Sequence, residues 1–163
     1  MTIPAPQPTP HFTDAAALEA LSEVARGVPR LRRNANFHKS ESEPANRLLN
    51  AIEPGSYIRP HRHLDPNKDE TMVVLKGSLG MLWFGDDGVV AGQALLSPGG
   101  TCVVNIPHGC WHTLLALEPG TVFFEAKGGP YGPLEPGEMA AWAPAEGDAA
   151  VAAYFGLLAA RFR

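Results

Sequence analysis

The sequence predicts an all-β body carrying a short helix at each end, and three observations support this. Between about residues 31 and 128 the chain runs as nine short apolar or alternating segments; Gly, Pro and Asp clusters punctuate them; and a helical period occurs only before and after. Nine strand-like segments in about a hundred residues imply a sandwich or a barrel. A chain of 163 residues is long enough to enclose one substantial core.

The elements follow in order. Four prolines in the first ten residues deny that stretch a regular element, so 1–12 is expected to be a flexible tail. Thr13-Asp14 then supplies an N-cap for a helix over about 14–26, with Leu18, Leu21, Val24 and Ala25 on one stripe and Gly27 and Pro29 as its stop; the helix and its linker occupy 13–30. The strand-like segments are RRNANFH, NRLLNAI, GSYIRPHRH, ETMVVLKG, LGMLWF, VVAGQALL, TCVVNIP, HTLLALE and TVFFEAK, filling a body over 31–128. Asp86-Asp87-Gly88 reads as a hairpin turn, and SPGG at 97–100 and EPG at 118–120 as further reversals. Residues 129–163 read as an irregular Pro/Gly-rich strap followed by a helix over about 148–161, capped by Asp148, with Val151, Tyr154, Phe155 and Leu158 on a buried stripe.

Composition excludes several classes of function. Thirteen basic against seventeen acidic residues give a net charge of −4, without the cationic excess that nucleic-acid binding draws on. No apolar run is long enough to cross a membrane as a helix. Two cysteines, Cys102 and Cys110, are too few for a disulfide scaffold and read as free thiols, and the N-terminus has no secretory pattern, so a cytoplasmic protein is expected.

The chemistry concentrates in RPHRHLDPNKDE and IPHGCWH. On a strand, His61 and His63 would project to one face, as two imidazoles binding one ion must, while Arg62 points away. Glu70 opens the following strand and can bring a carboxylate back across the hairpin; Asp65 and Asp69 are alternatives to it. His112 would come from a strand beyond the Pro107–Gly109 turn. Three imidazoles and a carboxylate suit one divalent transition metal per chain, whether Zn, Fe, Mn, Ni or Co, and suit Ca or Mg poorly. His108, inside the turn, is expected to face solvent.

Parity nominates polar neighbours. Tyr57 and Arg59 continue the His61 face backwards, Asn34, Asn36 and His38 line one side of the first strand, and Glu125 and Lys127 share a face with Phe123. These are expected to orient the site or to touch a polar substrate. Trp83, Trp111 and Trp142 read as core or interface plugs, with Trp111, beside His112, the one of the three that could instead stack on a ligand.

GSYIRPHRHLDPNKDETMVVLKG resembles the first cupin motif on Gly55, His61, His63, Glu70 and Gly77, and PHGCWH resembles the second on Pro107, Gly109 and His112. More narrowly, RLLNAIEPGSYIRPHRH, DPNKDE, IPHGCWHTLLALEPGTVFFE and KGGPYGP resemble the WbuC-like cupin metalloproteins, over about residues 30–147. The resemblance implies a double-stranded β-helix, or jelly-roll barrel, with the metal inside. Two departures stand out: six residues separate His63 from Glu70, where three or four are usual, and Ala116 replaces an Asn that often follows the second motif.

The function expected is that of a metal-dependent enzyme, of oxygenase or isomerase type, acting on a small polar molecule. The resemblance, to proteins encoded among bacterial polysaccharide biosynthesis genes, directs the substrate class toward sugars or sugar nucleotides. The alternative is a non-catalytic module that binds a metal or ligand. A homodimer is expected, because outer positions Val73, Leu75, Leu115 and Leu117 are apolar enough to pack against the terminal helices or another copy.

Overall fold

The computed structural model describes residues 9–163, so most of the tail expected over 1–12 lies outside the described residues. Helix α1 (Ala15–Arg26) is followed by eight strands: β1 (Arg32–Asn36), β2 (Ala45–Ile52), β3 (Glu70–Lys76), β4 (Leu79–Phe84), β5 (Val90–Leu96), β6 (Val103–Ile106), β7 (Trp111–Ala116) and β8 (Thr121–Gly128). Helix α2 (Val151–Ala159) and a single 3₁₀ turn (Ala160–Phe162) end the chain.

The strands form two antiparallel sheets, one in the order β1-β2-β8-β3-β6 and the other β5-β4-β7. Ile52, Met72, Val74, Ile106 and Phe123 of the first pack against Leu79, Met81, Leu96, Leu114 and Ala116 of the second, which places the main core between the sheets. Among the described residues the sheets do not close into a barrel. The reason lies in GSYIRPHRH, which is not a strand: proline lacks the N–H that a ladder needs, so Pro60 limits the segment to isolated bridges at His61, one to His112 and one to Met139. His61 N–H donates to His112 O (3.0 Å) and His112 N–H to His61 O (2.9 Å).

Both helices cover outer faces. Asp14 caps α1 by accepting from Ala17 N–H at 2.9 Å, and Leu18, Leu21 and Ala25 pack on Leu49, Ala51, Val122 and Phe124. Val24 lies outside that stripe, about half exposed, and Ser22 is buried instead; the buried face runs through positions 18, 22 and 25. α2 begins three residues after Asp148, whose carboxylate accepts from Ala150 N–H in a preceding turn and does not cap the helix. Its Tyr154, Phe155 and Leu158 pack over Leu82, Leu115 and Trp111. β7 is consequently buried at all six positions, with His112 facing the inter-sheet space.

The strap joining β8 to α2 is fastened along the 59–64 segment. Arg62 N–H donates to Glu138 O (2.9 Å), Ala140 N–H to Pro60 O (3.0 Å), and Leu64 N–H to the Glu138 carboxylate (2.7 Å). The loop that carries His61 and His63 is thereby held from both sides.

Candidate metal centre

Three elements bring four side chains together between the sheets. Glu70 is the first residue of β3, His112 the second of β7, and His61 and His63 stand on the loop bridging to β7. The Pro107–Gly109 turn ties the two motifs together: Gly109 takes φ +79°, a conformation that favours glycine, and its N–H donates to His63 O at 2.6 Å. The ring centroids lie 4.5 Å apart for His61 and His112, 5.5 Å for His61 and His63, and 6.5 Å for His63 and His112.

His61, His63 and Glu70 each offer an atom such that all lie within 4.8 Å of one another. His63 Nε2 is 3.1 Å from Glu70 Oε1, and His112 Nε2 is 3.1 Å from Glu70 Oε2. That second approach is close but off-axis, so Glu70 Oε2 and His112 Nε2 remain buried without a hydrogen-bond partner.

The backbone fixes two of the rings. His61 Nδ1 is 3.1 Å from Arg59 O and His112 Nδ1 is 2.9 Å from Cys110 O; a carbonyl only accepts, so each Nδ1 carries the proton and donates it. In a neutral ring each Nε2 is then a bare lone pair turned to the carboxylate, the tautomer a metal ligand needs. Lone pairs on His112 Nε2 and Glu70 Oε2 repel at 3.1 Å unless a proton or a metal ion stands between them. The donor set fits a transition metal on that observation.

Electrostatics agree with it. Burial, helped by His112 beside it, pushes the His61 imidazole down to about 3, so it is neutral at pH 7; the ring retains some exposed surface but is densely surrounded by protein. Burial pushes the Glu70 carboxyl up, but the contacts with His112 and His63 and the charge of Lys127 outweigh it and hold the group well below the usual range. Lys127 Nζ donates to Glu70 Oε1 (2.8 Å) and lies 3.0 Å from Glu125 Oε1. Burial would lower the Lys127 ammonium, but the two carboxylates together raise it. The Glu125 carboxyl goes up, chiefly through burial, against the pull of Lys127.

The remaining nominated residues divide by what they touch. Asn34, Asn36, His38, Glu125 and Lys127 line one cavity of about 240 Å³, in which Asn34 Nδ2 donates to Asn36 Oδ1 and Asn50 Nδ2 to Glu125 Oε2. Arg47 N–H is 3.1 Å from His38 Nδ1. Tyr57 and Arg59 turn to the strap: Tyr57 Oη donates to Pro144 O (2.8 Å), and Arg59 donates twice to Ala140 O (3.0 and 2.6 Å). Trp111 is no ligand platform, because its Nε1 donates to Asp86 and Arg62 stacks 4.2 Å from its ring centre on the outer side. Asp69 accepts from the exposed His108, and Asp65 from Asn67, so both alternatives to Glu70 are engaged in turns. Cys102 and Cys110 are free and half-buried.

Two residues of the site escaped the sequence reading. Asn46, on β2, stands beside Lys127; its signal was the Asn46-Leu48-Asn50 alternation of one face. Glu138 anchors the strap; its signal was the Glu135–Glu138 spacing of a capping box.

The model of the family DUF6016, described as a domain of unknown function, matches residues 13–96, just over half of the chain and inclusive of His61, His63 and Glu70. The chain belongs to the DUF6016 family. No curated protein matches this DUF6016 chain. Among solved structures it is similar to an oxalate oxidase in complex with the substrate analogue glycolate, at TM-score 0.50 and 16% identity over 64% of this chain and 54% of that one. It is also similar to KdgF from Halomonas sp. (TM-score 0.49, 20% identity, 62% and 82% covered). A third is a cupin superfamily protein from Desulfitobacterium hafniense (0.48, 11%, 60% and 76%). The DUF6016 chain thus shares its two-sheet antiparallel fold with that oxalate oxidase.

Proposed function

We propose that this DUF6016 chain is a metal-dependent cupin enzyme that holds one divalent transition metal on His61, His63, Glu70 and His112 and acts on a small polar molecule. The observation that carries the reading is the buried pair His112 Nε2 and Glu70 Oε2, 3.1 Å apart with no hydrogen-bond partner, beside two further imidazoles. A bound Zn, Fe, Mn, Ni or Co ion would supply Lewis acidity and open coordination positions. The rest falls to the chain. The carbonyls of Arg59 and Cys110 hold His61 and His112 in the ligating tautomer. Lys127 presents an ammonium on the wall of a second cavity, of about 200 Å³, that His61 and His63 also line, where it can meet an anionic or carbonyl oxygen. Tyr131, Gly132 and Leu134 of the strap border the same cavity.

The resemblance to WbuC-like cupins points to sugars or sugar nucleotides as the substrate class; oxygenase or isomerase chemistry, a cytoplasmic setting and a homodimer are further parts of the same proposal, drawn from the ligand set, the two unpaired cysteines and the apolar outer positions. The second reading, a non-catalytic ligand-binding module, draws on one observation: Lys127 already gives Glu70 a counter-cation without any metal. Elemental analysis of protein purified without chelator separates the metal-holding reading from a metal-free module, and growth of a binding signal on titrating substrate separates an enzyme from a module that only holds the ion. The enzyme reading expects about one transition-metal ion per chain, lost in His61→Ala, His63→Ala and His112→Ala. A chain that takes up no ion in metal-replete buffer, or keeps one equivalent after all three substitutions, overturns it.

A further inference from the structure

Asn46 is 2% exposed, yet neither its side-chain Nδ2 nor its Oδ1 has a hydrogen-bond partner. A buried amide with neither atom satisfied is rare in folded proteins and costs stability unless something completes it. Its position says what does. Asn46 is directly opposite Lys127 in the β2–β8 register, and Lys127 is directly opposite Glu70 in the β8–β3 register, so the three side chains form one row across a single sheet face. Asn46 lines both the cavity that reaches His61 and His63 and the neighbouring cavity that reaches Glu125 and Asn36. It stands at their junction.

The other polar groups of the inner wall are engaged, Asn50 with Glu125 and His38 with Arg47, while the exposed Asn34 and Asn36 bond each other and Glu41, Lys68 and Tyr131 border the cavities on their more open side. The Lys127 ammonium has three N–H donors and gives two to Glu70 and Glu125, which leaves one. What remains open on the buried inner wall is therefore the Asn46 amide NH2, the Asn46 carbonyl and one ammonium donor of Lys127, side by side. A carboxylate alone would leave Oδ1 unmatched, since it brings no proton. An apolar ligand would leave all three unmatched. Adjacent hydroxyls, each of which donates and accepts, satisfy the set.

We infer that Asn46 is the specificity-determining residue of a polyol subsite, and that the ligand of this centre is a small polyhydroxylated molecule whose neighbouring hydroxyls bond the Asn46 amide and the free Lys127 donor. This inference deepens the proposed function and rests on it for the place of the metal, but the Asn46 chemistry can be scored separately.

The test uses the metal-loaded full chain and two probes of equal carbon length, gluconate and hexanoate, titrated by calorimetry; they share the carboxylate and differ in the hydroxyls. Wild type is expected to bind gluconate at least about tenfold more tightly than hexanoate, and Asn46→Leu to reduce that preference to within about threefold. In ligand-free melts, Asn46→Leu is expected to unfold at the same temperature as wild type or higher, because it deletes an unsatisfied buried amide. Asn46→Ser, which keeps a hydroxyl, is expected to retain part of the preference. Absence of a preference in wild type, an unchanged preference in Asn46→Leu, or a large drop in its ligand-free melting temperature overturns the subsite. Metal content measured on the same samples tells the two failures apart: metal bound without hydroxyl preference removes the subsite and leaves the centre standing, while a preference without metal does the reverse.

Discussion

Glu138→Ala tests whether the strap holds the metal loop in place. The Glu138 side chain is 9% exposed, and its carboxylate accepts from Leu64 N–H at 2.7 Å and Glu135 N–H at 3.0 Å. Hydrogen bonds to a charged group contribute about 1.5–3 kcal/mol each, so the pair is worth about 3–6 kcal/mol at full burial. Its place at the edge of the strap lets water replace part of that, and about 3 kcal/mol is the expected loss at pH 7. For a chain of this length that is a drop of about 6–12 °C in melting temperature.

The sign of the pH dependence follows from the carboxyl. Burial pushes it up, but the two backbone N–H groups outweigh burial and hold it below its usual value of 4.5. A depressed carboxyl stabilises the fold fully above the unfolded value and ceases to do so as pH falls through the folded one. The gap between wild type and Glu138→Ala should therefore be widest at neutral pH and shrink as pH falls below the usual carboxyl value of 4.5 and through the lower folded one. Because Leu64 follows His63, transition-metal affinity should fall as well. Urea unfolding followed by tryptophan fluorescence at pH 7 and pH 3.5, with zinc titrations alongside, measures all three. A loss below about 1 kcal/mol at neutral pH, or one equally large at both pH values, refutes the clamp.

Lys127→Met leaves Glu70 and Glu125 without their shared cation and should destabilise the metal-free protein by about 3–5 kcal/mol, with a smaller loss once zinc neutralises Glu70; equal losses with and without zinc in denaturant titrations would contradict the ion-pair role. Two glycines should respond differently to alanine. At Gly77, φ is +73° and a Cβ would stand 2.3 Å from Thr121 Oγ1 and 2.8 Å from Thr121 Cα, so Gly77→Ala should cost about 3 kcal/mol or more. At Gly109, φ is +79° but nothing lies within 4 Å, so Gly109→Ala should cost only about 1–2 kcal/mol of backbone strain. Similar losses at both in thermal melts would show that contact with Thr121 is not what demands glycine at Gly77.

Much of the architecture was legible because strands advertise themselves by alternation and turns by Gly, Pro and Asp. Eight of the nine strand-like segments are strands, and α1 begins at its Asp14 cap. The ninth shows where pattern reading stops. His61 and His63 approach one another, but on a loop with isolated bridges, since Pro60 cannot donate to a ladder; spacing found the pair while the strand geometry invoked for it is absent. The same misplaced parity sent Tyr57 and Arg59 to the site, whereas they bond strap carbonyls of residues 144 and 140. Where real strands carry the residues, parity served well: Glu125 and Lys127 of β8 share a cavity with Asn34 and Asn36 of β1. Asn46 and Glu138 were missed because their roles exist only through partners far along the chain, Lys127 across a sheet register and Leu64 across the strap. No local pattern encodes such pairings.

The most direct measurement is X-ray absorption at the edge of the ion bound to the reconstituted full chain. The account predicts a nitrogen and oxygen shell with the multiple scattering of about three imidazoles and no sulfur. A sulfur neighbour at about 2.3 Å, which would implicate Cys102 or Cys110, or the scattering of at most one imidazole, would contradict it.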